Sequence, residues 1–347
     1  MTMSSLERIL TAVRGEEPDI VPVCPGIFMH AAKISGIKLS EFCTNRHAFA
    51  KANLVTYKRY GYDGIWAGID AFRLPELMGC KVKVPENGVP FIVERVIKEL
   101  KDLDRIKTPD FNNDSRLKEE LKGIEILSKE LKDQVAIAAF TDCGFEIAAM
   151  LMGEYEFLKN LYVNPDFIME AISIASAAAV QHGKALVDAG VHVVIWGSAF
   201  TSPNVISPTI FEKFAYPSIM KEIKEMHRYG AIVSLHICGN ATPIIEKEAE
   251  ISPDMIEFDS PVNLSYAKKK VGDNVCIYGN VDNSRTLFLG SPRDVERECM
   301  ECIRKAGEGG GFILGSGCDV PIDAPPENIE SMINTARGYG RYSLELG

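Results

Sequence analysis

The chain has 347 residues, of which 46% are hydrophobic, 25% charged and 8% aromatic, a globular mixture that excludes a fibrous or disordered polymer. Lys plus Arg number 38 against 48 Asp plus Glu, a formal charge of −10 that repels phosphate backbones and anionic lipids and argues against nucleic-acid or membrane-surface partners. No apolar run reaches the roughly eighteen residues that span a bilayer, so the sequence predicts a soluble, cytoplasmic protein.

The chain opens with MTMSSLERILTAVRGEEPD, where Glu7, Arg8 and Arg14 interrupt the apolar period; it reads as an amphipathic helix and not a signal peptide. Short apolar, β-branched runs then follow at Ile20–Val23, Gly64–Ile69, Val135–Phe140, Val191–Trp196, Ile232–Ile237, Met255–Phe258, Val275–Tyr278 and Gly311–Leu314. Most are continuously hydrophobic, as parallel strands buried on both faces require. Amphipathic stretches such as Pro165–Val187 and Thr209–Tyr229 lie between them, and the pairs Asn164-Pro165, Ser207-Pro208 and Ser291-Pro292 mark helix starts. Eight buried strands alternating with helices predict an α/β fold, a (β/α)8 TIM barrel formed as one domain over residues 1–347. The surplus length falls at about 80–133. There Lys81–Val96 alternates around Asn87-Gly88 as a β-hairpin would, and charged helical sequence follows at Leu100–Asp133.

In such barrels the chemistry sits at the carboxyl ends of the strands. Nine cysteines, odd in number and scattered, make a poor disulfide framework, so most are expected to be small core residues. The strongest signal joins Leu235-His236-Ile237-Cys238-Gly239-Asn240 with Gly315-Ser316-Gly317-Cys318-Asp319. Strand side chains repeat with period two, so His236 and Cys238 face one side and both can reach one zinc ion. Cys318 ends another strand on the same rim. Three protein ligands leave a fourth position open, as a catalytic zinc requires, whereas structural sites are usually closed by four. A strand-end histidine with satisfied hydrogen bonds is the competing reading. Cys299 and Cys302 form a C-x-x-C pair inside a charged helical stretch, and a partly buried helix face is the reading preferred for them.

The blocks LHICGNATPII, IYGNVDNSRTLFLGSP and LGSGCDVPIDAPPENIESM, with RILTAVRGEEPDIVPV and FRLPELMGC, resemble the uroporphyrinogen decarboxylase superfamily over nearly the whole chain. Within it they most resemble the zinc-dependent methylcobamide:coenzyme M methyltransferases. The resemblance implies zinc on His236, Cys238 and Cys318, a corrinoid (methylcobalamin) as co-substrate, and a small thiol such as coenzyme M as acceptor. No D-x-H-x-x-G run of a corrinoid-binding domain is found, so the corrinoid protein is expected as a transient partner in trans. A homo-oligomer remains compatible with the sequence. The segment CPGIFMHAAKISG lacks the arginines with which the decarboxylases grip carboxylates, whereas Asp70 matches their catalytic aspartate. Asp142 or Asp259 is expected to take the thiol proton or to brace the ligands. Asp70, Arg73 and Asn280 are the substrate-binding candidates, with Arg73, or failing it Arg285, set against an anionic tail. Three other functions compete: a demethylating methyltransferase that feeds a corrinoid cycle from a small methyl donor, a metal-free decarboxylase, and a non-catalytic zinc-stabilised corrinoid or thiol carrier with a closed, four-ligand metal.

Overall fold

A computed structural model of the chain describes residues 3–106, 109–112 and 115–342. The strands are β1 (Gly64–Trp66), β2 (Lys81–Lys83), β3 (Phe91–Glu94), β4 (Ala136–Asp142), β5 (Val193–Ser198), β6 (Ile232–Ile237), β7 (Met255–Phe258), β8 (Cys276–Val281) and β9 (Phe312–Ser316). Seven of them form one curled parallel sheet in the order β1-β4-β5-β6-β7-β8-β9, with helices between successive strands. Every residue of β5, β7, β8 and β9 is buried, which accounts for their unbroken hydrophobicity. The expected hairpin is present as the antiparallel pair β2–β3.

The first expected strand is the main difference. Ile20–Val23 supplies only one parallel bridge, from Val23 to Leu314. Pro22 has no N–H to give a ladder, and the Val23 N–H donates to the buried Asp63 carboxylate (2.9 Å). The segment still touches both margins of the sheet: Cys24 N donates to Leu314 O (2.9 Å), and Asp63 N donates to Val23 O (2.8 Å). Arg8, from the N-terminal helix Ser5–Val13, and Arg337, from the last helix Pro326–Tyr339, both pair with Asp63 and tie the two ends of the chain to this seam.

Two expected helices are broken at prolines. Thr209–Tyr229 divides into a short turn at Pro208–Ile210, a widened π turn at Phe211–Ala215 and the helix Tyr216–Arg228. Pro217 removes a donor and its ring crowds the carbonyl one turn back, so the helix widens there. In Leu100–Asp133 a 3-10 turn (Leu100–Arg105) precedes the helix Arg116–Leu131; Pro109 lies between them, and residues 107, 108, 113 and 114 lie outside the described residues. No helix among the described residues is long and apolar enough to cross a membrane.

Candidate metal centre and its chamber

His236 is the penultimate residue of β6, and Cys238 N extends the ladder by donating to Ser198 O (3.1 Å). The pleat therefore aims His236 and Cys238 the same way. Cys318 arrives from β9, three strands along the sheet, through a tight backbone approach at Gly317. A Cβ on Gly317 would stand 2.6 Å from Ser260 N and 3.0 Å from Asp259 Oδ1. The ligand atoms of His236, Cys238 and Cys318 lie within 4.8 Å of one another.

The imidazole is oriented by its surroundings. Nδ1 lies 3.2 Å from the Glu257 carbonyl oxygen, which can only accept, so Nδ1 donates and Nε2 is the nitrogen turned to Cys238 Sγ at 3.3 Å. Burial opposes a charge on His236, but the hydrogen bond and charge of Cys318 outweigh it and push the imidazole up to about 10. The mutual hydrogen bond of Cys238 and Cys318, acting against burial, lowers Cys318 and, together with burial, raises Cys238. The cluster thus shifts one sulfur toward its anion beside a second sulfur and an imidazole. That donor set fits zinc, with two thiolates and one imidazole as ligands and room for a fourth.

The other expected site residues separate into those that face the cluster's chamber and those that do not. The chamber has a volume of about 410 Å³ and is bounded by His236, Cys238 and Cys318 together with Asp70 and Asp142. Asp142 makes no hydrogen bond or ion pair among the described residues; burial first, then the charge of Glu146, raises it well above the usual carboxylate range. Asp70 borders the chamber but is already engaged, accepting from Phe72 N (2.8 Å) and pairing with Arg116.

Arg73 lies away from the chamber. It is 2% exposed, pairs with Glu120, donates to the Asp70 and Phe140 carbonyls, and lies behind the Phe140 ring at 4.1 Å from its centroid, so it does not line the chamber. Arg285 is exposed and also absent from the lining. Asn280 also lies outside the chamber, where its amide donates to the Asp259 (3.1 Å) and Val262 (2.7 Å) carbonyls. Asp259 does not line the chamber either. It accepts from Gly239 N (2.8 Å) and Ser260 N (2.6 Å), and so fixes the loop that presents Cys238.

Two acidic residues near the site, Glu257 and Glu146, were not singled out from the sequence. Glu257 lies inside β7 with Oε1 accepting from Ser234 Oγ (2.8 Å) and Oε2 3.9 Å from His236 Nδ1; burial, opposed by His236, raises it to about 7. A glutamate in the buried run Met255–Phe258 was the signal that could have found it. Glu146 gathers Ser198 Oγ, Ala199 N and Phe200 N at 2.8–3.0 Å and faces the chamber, as does Asp319, which follows Cys318 directly.

Comparison with known proteins fits this geometry. The family model for uroporphyrinogen decarboxylase (URO-D) matches residues 4–339. The chain belongs to the uroporphyrinogen decarboxylase family. Its curated relatives include methylcobamide:CoM methyltransferase MtbA of Methanosarcina mazei, 26% identical over 340 residues, covering 96% of this chain and 97% of the relative. Methylcobamide:CoM methyltransferase MtaA of Methanosarcina barkeri is 26% identical over 346 residues with the same coverage. The uroporphyrinogen decarboxylase of Trichodesmium erythraeum is 23% identical over 351 residues, covering 96% of each chain. Among solved structures, a methyltransferase from Methanosarcina mazei shares the fold with a TM-score of 0.89 at 24% identity, over 97% of this chain and 99% of that one.

Proposed function

We propose that the protein is a zinc-dependent methyltransferase that moves a methyl group from a methylated corrinoid, presented by a separate protein, to a small thiol. The observation that carries this reading is the convergence of His236, Cys238 and Cys318 within 4.8 Å at the edge of a chamber of small-molecule size. The family-level similarity to the methylcobamide:CoM methyltransferases supports it. The curled sheet, with Val23 bridging to β9, is read as a (β/α)8 barrel whose carboxyl end carries the chamber.

His236, Cys238 and Cys318 would hold the metal, and zinc bound there supplies the charge that keeps an acceptor thiol deprotonated at neutral pH. Glu257 fixes the imidazole's tautomer through its carbonyl, and Asp259 fixes the Cys238 loop through Gly239 N. The aromatic walls Phe28, Trp66 and Phe140 exclude water and orient the acceptor along the chamber. A corrinoid is far larger than 410 Å³, so its methyl group would have to be offered at the mouth while the macrocycle stays on the partner.

The test is metal analysis of purified protein joined to an assay of methylcobalamin with a panel of thiols. The expected result is about one zinc per chain and formation of a methyl thioether, both lost in His236→Ala. Turnover that survives with no zinc bound overturns the proposal.

A further inference from the structure

We propose that the chamber selects an acceptor whose tail is an organic cation, with Asp142 as its counter-charge, and disfavours the sulfonate or carboxylate tail of an anionic thiol. This rests on the transferase reading and names the substrate class for it.

Register supplies the distance. Asp142 pairs with Gly197, and Gly197 pairs with His236, so the three occupy one rung of the sheet and face one side. Two strand spacings place Asp142 about 10 Å from His236 between Cα atoms. Gly197 has no side chain to fill the gap, and all three residues border the chamber. A short acceptor with its sulfur at the metal therefore extends its other end toward Asp142.

Charge supplies the selectivity. The lining carries Asp70, Asp142, Glu146 and Asp319, and among the described residues no Lys or Arg. The two arginines behind the wall are already matched, Arg73 by Glu120 and Arg116 by Asp70 and Glu76. Two thiolate ligands cancel the formal charge of a zinc ion, so the metal end offers an anionic tail no compensation. The Asp142 carboxyl has no hydrogen-bond or ion-pair partner among the described residues; burial and then Glu146, against Arg73, favour its protonated form, and a bound cation would favour the carboxylate. The rings of Phe28, Trp66 and Phe140 add faces that attract ammonium groups.

The experiment compares three thioethers of equal length: 2-(methylthio)ethylammonium, 2-(methylthio)ethanol and 2-(methylthio)ethanesulfonate. Their binding to the zinc-loaded protein and to Asp142→Asn is measured by isothermal titration, which needs no turnover. The ammonium compound should bind at least about 10-fold more tightly than the sulfonate, with the alcohol between them, and Asp142→Asn should erase most of that ratio. Equal or tighter binding of the sulfonate, an ammonium preference that survives Asp142→Asn, or no binding by any of the three overturns the proposal. The wild-type order alone suffices for this, whatever the variant's stability. Methyl transfer from methylcobalamin to the matching thiols separates the two readings. Ammonium-selective binding with no thiol methylated removes the transferase reading and leaves the chamber's selectivity standing. Transfer that favours 2-mercaptoethanesulfonate does the reverse.

Discussion

Two pairs of cysteines teach opposite lessons. Cys299 and Cys302 sit one helical turn apart in the helix Pro292–Ala306, 0% and 5% exposed. Burial pushes both thiols up, Cys302 to about 12, and the nearest polar contact of Cys302 is Asn280 Oδ1 at 3.8 Å. Cys238 and Cys318 are far apart in the chain, yet they meet at the chamber, half-buried, beside an imidazole and with Cys318 shifted toward its anion. Proximity in sequence gave packing, and convergence on one rim gave a donor set. A thiol becomes a ligand when charge and access favour its anion, and spacing alone supplies neither.

The sharpest way to break this contrast is to remove one sulfur from each pair. Cys318→Ala should abolish zinc binding and lower methyl transfer by about 100-fold or more, read by metal analysis and by thioether formation. Cys302→Ala should keep its zinc and lose only about 1–2 kcal/mol of stability in a denaturant melt. Metal loss from the helical variant would erase the distinction.

A smaller effect is expected one step out from the ligands. Asp259→Ala frees Gly239 N and Ser260 N and loosens the loop that presents Cys238, so zinc affinity should fall about 10-fold in a chelator competition. Unchanged affinity would mean that the loop holds its shape without the carboxylate.

The last test concerns an acid packed near the site. Glu248 is fully buried with neither oxygen hydrogen-bonded among the described residues, and burial, opposed only by His236, raises it to about 8. An acid whose folded value lies above its unfolded value keeps its proton longer in the native state, so stability declines as pH rises from about 4 and levels off above about 8. Glu248→Gln should flatten that part of a Tm-against-pH curve, and an unaltered slope would show that the carboxyl is not held neutral.

Much of the fold was legible because buried parallel strands leave unbroken apolar runs. Ile232–Ile237 and Met255–Phe258 coincide with the strands observed, and the alternation at Lys81–Val96 with a hairpin. The prolines were legible as helix starts but not as breaks: Pro217 interrupts a period that otherwise runs unbroken, and Pro22 reduces a strand to a single bridge. At the site, period two fixed the shared direction of His236 and Cys238. Arg73 and Asn280 lie away from the chamber because a polar residue near a strand end can turn into it or back into the scaffold, and sequence carries no sign of which. Glu120 behind Arg73, and the Asp259 and Val262 carbonyls beside Asn280, made that choice.

The sequence by itself determined the local pattern: which runs become strands, where helices begin, and that an imidazole and a thiol share one face of β6. Only the tertiary structure decided which distant groups meet and which charges remain uncompensated. Curling the sheet brings β9 round toward β6, and that curvature, not any local preference, sets Cys318 beside His236 and leaves Asp142 facing an open chamber without a partner.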